Sequence, residues 1–231
     1  MDENEISSVV VDAAIEVRRG LGGPGLLESA DEEALAFELK DRGLAGLILA
    51  GGMGSRFGVP KAGALLPDGR TFLEACTATL HASGADPVVA TLPPGFDEPE
   101  IDGLVAVPLR EEGLDMFASL RIGLQRLVGE AGWNRVALLP VDHPFVRPAT
   151  IAALAACGAP AAVPSYRGKH GHPVVIDRPT AEAVVSGVIP GPTLREVLRE
   201  VGAADVVVDD PGAIANCNTT EALQRALQFC R

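Results

Sequence analysis

Residues 44–61 read LAGLILAGGMGSRFGVPK, an unbroken apolar run followed at once by a glycine-rich loop that ends near two cations, Arg56 and Lys61. The run lacks the alternation of a half-solvated strand, so it reads as a strand covered on both faces. Glycines let the loop backbone approach a ligand, free N–H groups suit phosphate oxygens, and Arg56 with Lys61 adds positive charge at the same place. The segment therefore reads as a phosphate cradle; the plain alternative is a structural glycine turn with a solvated Arg and Lys. It is not a Walker loop, because Gly58 is followed by Val59 rather than Lys-Ser/Thr. Gly52, Gly54 and Gly58 miss the dinucleotide-binding spacing by one residue. The acidic ribose partner of that motif would also fall near Glu74, inside a helical pattern.

Downstream, apolar runs at 87–92, 104–109, 135–141, 160–165, 172–176 and 204–210 alternate with helical patterns at 71–83, 115–128, 148–156, 192–201 and 219–229. Leu/Val/Ala runs with intervening crossovers predict an α/β fold with a mainly parallel sheet covered on both faces. HPVVI (172–176) is less regular and is expected to run antiparallel. Upstream, residues 1–43 read as a helical N-terminal extension, with helices over 5–19 and 31–42 around LGGPG; residues 44–231 form the main domain.

The chain has 231 residues, 47% of them hydrophobic, and 31 acidic against 19 basic side chains give a net charge of −12. That charge argues against nucleic-acid and anionic-membrane binding, so an anionic ligand must be held by a local concentration of cations. No run of about 18 apolar residues and no basic-then-apolar leader appears, which predicts a cytoplasmic protein. Cys76, Cys157, Cys217 and Cys230 have no metal-site spacing and read as reduced thiols.

In a parallel sheet, ligands bind beyond the carboxyl ends of the strands. Asp142 directly follows the run 135–141, where a carboxylate could meet a cation that bridges phosphates; capping the turn before Pro144 is the alternative. Asp115 and Ser119 open the helical pattern 115–128, where they read as an N-cap and an ordinary amphipathic helix face. SYRGKHGHPVVI gathers Arg167, Lys169, His170 and His172 in an acidic protein, a cluster able to receive an anionic acceptor.

LAGGMGSRFGVPK resembles the L-A-G/A-G-x-x-x-R-x-G-x-x-K signature of nucleotidyltransferases, most closely the group containing molybdenum-cofactor guanylyl- and cytidylyltransferases. The resemblance extends over about residues 44–228 and implies a Rossmann-like three-layer fold; through EEGLDMFASLRIGLQRL it also implies that Asp115 and Ser119 contact the base or ribose. It implies that Leu49, Ala50, Gly51, Gly52, Gly54 and Ser55 wrap a nucleoside triphosphate whose phosphates Arg56 and Lys61 neutralise. Asp142, in Asp142-His143-Pro144, then corresponds to the magnesium ligand. Asn216-Cys217-Asn218-Thr219-Thr220-Glu221 matches a late N-x-N-T-P-E motif except for Thr220, which makes Asn218 the second metal residue with Asn216 behind it. An amide is a weaker Mg2+ ligand than a carboxylate, and capping of the next helix by Asn218 or Thr219 is compatible with either reading. Gly171-His172-Pro173-Val174 resembles an acceptor-side element of the cytidylyltransferase branch, whereas LAGG leans to the guanylyl branch. The implied activity is Mg2+-dependent transfer of a nucleotidyl group from CTP or GTP to a phosphorylated acceptor, molybdopterin first, with a molybdoenzyme or its chaperone as protein partner. The alternatives are a sugar-phosphate nucleotidyltransferase and a nucleotide-binding accessory protein without turnover.

Overall fold

The structure, a computed structural model, describes residues 43–52, 59–97, 99–111, 113–189 and 193–230. The helices expected over 5–19 and 31–42, and Gly54, Ser55 and Arg56 of the cradle, lie outside the described residues.

The strands are β1 (Leu44–Leu49), β2 (Val88–Leu92), β3 (Leu104–Pro108), β4 (Arg135–Pro140), β5 (Ala161–Tyr166), β6 (Lys169–His170), β7 (Val174–Asp177) and β8 (Ala204–Val207). The helices are α1 (Phe72–Ala82), α2 (Met116–Val128), α3 (Pro148–Ala156), α4 (Arg178–Ser186), α5 (Leu194–Val201) and α6 (Thr220–Phe229). The sheet order is β3-β2-β1-β4-β7-β5, and β6 and β8 both pair with β5. The first four strands are parallel. β7 runs antiparallel between β4 and β5, as HPVVI predicted, and β8 runs parallel to β5.

Every residue of β1 is buried, which is why its sequence shows no alternation. Consecutive strand residues feed two cores. On one face Ile48 and Leu139 pack with Phe72 of α1, Ile151 of α3 and Leu223 of α6. On the other, Leu47 and Leu138 pack with Leu124 of α2, Val184 of α4 and Val197 of α5. The expected three layers are present. The sequence reading had no helix over 178–186. There Asp177 caps the start, accepting from the Thr180 N–H at 2.9 Å, with a proline in the first turn. Those start signals were readable, but the segment has too few apolar positions to announce a helix by periodicity.

The returning strand opposite β5 is broken. Ser165 pairs with His170 and Ala162 with Val175, so three steps along β5 match five along its partner, and Gly171, His172 and Pro173 bulge between β6 and β7. A Cβ on Gly171 would lie 2.1 Å from the Ala213 carbonyl oxygen, so only glycine fits this approach. The His172 N–H donates to the same carbonyl at 2.8 Å, tying the bulge to the short 3-10 turn Pro211–Ile214.

Candidate active site

Parallel pairing of β1 with β4 places Leu49 opposite Pro140, so the chain leaving each strand emerges at one edge of the sheet. Lys61 opens a 3-10 turn after the glycine loop, and Asp142 lies two residues beyond β4. The Lys61 ammonium donates to Asp142 Oδ2 at 2.9 Å and also to Asn218 Oδ1. A single backbone bond brings Asn218 there: the Cys217 N–H donates to the Asp142 carbonyl at 2.7 Å. Thr219, not Asn218, caps α6, its Oγ1 accepting from the Ala222 N–H at 3.1 Å. The Asn218 side chain is thus left for Lys61. The Asp142 carboxylate faces the lysine, while its backbone carbonyl holds the Cys217 loop. Among the described residues no group of three or more His, Cys, Asp or Glu could hold a metal ion. The oxygen pair on Asp142 and Asn218 converges instead on one cationic head.

Leu49 and Ala50 are buried, and no atom of the described residues lies within 4 Å of where a Gly52 Cβ would be. A Cβ on Gly51 would sit 2.5 Å from Leu109 Cδ1 and 3.2 Å from Ser119 Oγ, so buried Ser119 of α2 borders the loop. Asp115 caps α2, accepting from the Ala118 N–H at 2.7 Å.

Beside the Lys61 cluster lies a cavity of about 1080 Å³ over β4, β5 and β7, walled by α2 and α5. Its lining is largely apolar, with Phe117, Leu120, Leu138, Val163 and Leu198 among it, and Asn216 and Asp115 reach it as well. His143 and His172 form part of this wall as an edge-to-face pair 4.9 Å apart. Burial holds His143 below its ordinary value and takes His172 down to about 4, with His143 adding to the latter effect and Asp142 opposing it. His172 Nδ1 is buried and has no hydrogen-bond partner among the described residues. Burial likewise pushes the Cys217 thiol up to about 12, and all four cysteines are free thiols.

Two expected acceptor contacts lie elsewhere. Arg167 and Lys169 are exposed on the β5–β6 hairpin, and neither lines the cavity. Arg167 and Gly168 both have positive φ, 50° and 76°, the signature of a two-residue type I′ turn, and the Arg167 guanidinium lies 5.1 Å from the Tyr166 ring centre. The arginines that do line the cavity are Arg195 and Arg199 of α5, within the stretch 192–201 that the sequence shows only as a helical pattern.

Three comparisons agree with this layout. The chain is 26% identical to the Mycobacterium sp. strain JC1 homologue of Mycobacterium tuberculosis Rv0371c, with 81% of this chain and 96% of that one covered at a TM-score of 0.64. Rv0371c from M. tuberculosis, solved with manganese, aligns at 24% identity over 80% and 98% of the two chains, TM-score 0.62. The 2-C-methyl-D-erythritol 4-phosphate cytidylyltransferase of Thermus thermophilus aligns at 23% identity over 82% and 99%, TM-score 0.61. No curated protein matched in a sequence search. A glycine-rich loop after β1, in this sheet, defines a nucleotidyltransferase. More narrowly, the MobA-like NTP transferase domain matches residues 46–209, well over half of the chain, and the chain belongs to that family.

Proposed function

We propose that the protein transfers a nucleoside monophosphate from CTP or GTP to the phosphate of a phosphorylated small molecule, with a molybdopterin-type compound as the leading acceptor. The observation that carries this reading is the convergence of Lys61, Asp142 and Asn218 at the edge where the glycine loop leaves β1. An acceptor phosphate oxygen attacks the α-phosphorus, the bond from that phosphorus to the bridging oxygen of the β-phosphate breaks, and pyrophosphate leaves. A phosphate monoester, with a second pKa of about 6, is already an anionic nucleophile at pH 7, so no strongly activated base is required. What the chain must supply is position and positive charge.

Lys61 and Arg56 answer the charge of the triphosphate; Gly51 and Gly52 carry its backbone contacts, and Ser119 and Asp115 border the nucleoside. Asp142 and Asn218 fit a divalent cation, because two hard oxygens from separate segments already meet at one positive group. Magnesium held there would neutralise charge on the phosphates. The cavity beside them is large enough for a bulky acceptor, and the buried imidazoles of His143 and His172 offer it ring nitrogens for hydrogen bonds. A molybdoenzyme or its chaperone would receive a molybdopterin product.

Pyrophosphate release is to be measured from CTP, GTP and UTP, each with molybdopterin and with sugar phosphates, at saturating Mg2+. One pairing should turn over, and Asp142→Asn should lower its kcat at least 100-fold with an unchanged circular dichroism spectrum. Absence of release with every pairing would refute the transferase reading. Full activity in Asp142→Asn would remove this residue from the reaction.

A further inference from the structure

The cavity is lined by two aspartates, both of them engaged. Asp115 accepts the α2 cap bond at 2.7 Å, and Asp205 lies 3.0 Å from His170 Nε2. The two arginines of the lining differ: among the described residues neither Arg195 nor Arg199 has an ion-pair or hydrogen-bond partner. The sequence of α5, LREVLREV, accounts for this arrangement. Arg195 and Arg199 are four residues apart, as are Glu196 and Glu200, so like charges stack along each stripe where alternation would have paired opposite ones. Such stacking disfavours the isolated helix, yet it places two guanidinium groups side by side on the stripe that meets the cavity. Glu196 is turned to the helix start, where its carboxylate accepts from Thr193 Oγ1 at 2.9 Å.

Elsewhere on the lining the histidines are already engaged: His143 and His172 pack against each other, and His170 lies 3.0 Å from Asp205. In a chain of net charge −12, two unpaired guanidinium groups are the cavity's source of positive field. We propose that Arg195 and Arg199 clamp a phosphate group of the acceptor while the apolar wall takes its body, so that this pair, and not the Arg167/Lys169 hairpin, selects phosphorylated over unphosphorylated molecules. This rests on the reading of the cavity as the acceptor site, but it concerns binding and does not require turnover. Guanidinium groups suit the task because each can offer two parallel N–H donors to phosphate oxygens.

The test uses the full chain without nucleotide and a fluorescent pair that differs only in the phosphate, 4-methylumbelliferyl phosphate and 4-methylumbelliferone, titrated to equilibrium. The wild type should bind the phosphate ester at least 10-fold more tightly than the phenol. R195Q/R199Q should erase that preference while leaving the phenol's affinity within 2-fold, R195K/R199K should restore part of it, and R167A/K169A should change neither. Both arginines are exposed, and the single R195Q and R199Q variants provide a partial-loss series should the double variant fold poorly. An unaltered preference in R195Q/R199Q, or no preference in the wild type, overturns the clamp; loss of preference in R167A/K169A assigns it to the hairpin instead. Failure of nucleotidyl transfer itself is read separately, from pyrophosphate release.

Discussion

Lys61 occupies the two oxygens, Asp142 Oδ2 and Asn218 Oδ1, that a divalent cation would need. A cation entering without nucleotide must displace an ammonium from a partly buried ion pair, and at an effective dielectric near 20 a unit-charge pair at about 4 Å is worth roughly 4 kcal/mol. Lys61→Met is therefore expected to bind Mn2+ at least about 10-fold more tightly than wild type in the absence of nucleotide, read by electron paramagnetic resonance. Equal affinities would show that the lysine does not compete. His172 makes a pH prediction of definite sign. Its folded value of about 4 lies below the ordinary 6.5, so between those values the unfolded chain binds more protons than the folded one. The contribution to stability is complete above pH 6.5 and declines as pH falls towards 4, with His143 acting in the same direction. Urea midpoints should drop across that window, and His172→Gln should flatten the slope; an equally steep slope in the variant would assign the effect to other groups. At this scale the sequence was readable where a residue follows a strand or the glycine loop that leaves it, as Asp142 and Lys61 do. It was unreadable where the partner comes from far along the chain, as with the pairing of His172 and His143.

The bulge between β6 and β7 forms one part of the cavity wall, through Gly171 and His172. Gly171 lets it press against the Pro211–Ile214 turn, and a methyl group there meets a backbone carbonyl that has no rotamer to yield. Gly171→Ala should lower stability by about 1–3 kcal/mol, the usual range for overpacking, and should weaken acceptor binding more than nucleotide binding. Unchanged values of both would show that the turn can move aside. Most elements were legible because an apolar run or a helical period announced them. β6 was not, being two residues long, and neither was the sheet order, because nothing local in Val174–Asp177 says that it inserts between β4 and β5. The placement of α5 explains the largest revision at the site: LREVLREV reads as an ordinary amphipathic helix until the cavity beside it is known.

At the scale of the whole molecule, one sheet separates two cores, and β4 contributes to both. Leu139 faces the core of α1 and α3, while its neighbour Leu138 lines the cavity on the opposite side. Leu139→Ala should lower unfolding free energy by about 2–5 kcal/mol and leave the nucleotide KM unchanged below the melting transition. Leu138→Ala should lower stability and also raise the acceptor KM; an unaffected acceptor KM would detach the cavity from acceptor binding. No helix among the described residues is long and apolar enough to cross a membrane. The direction reversal at β7 gives the sheet a seam: β3-β2-β1-β4 carries the glycine loop and Asp142, whereas β7-β5-β8 and the bulge wall the cavity. Across that seam the partners are backbone ladders such as Leu138 with Val174, which accept many side chains. Asn218 nonetheless meets Lys61 from beyond β8, so a descendant that exchanged the second half at a boundary after β4 would lose an oxygen partner of that lysine, and the two halves have to change together.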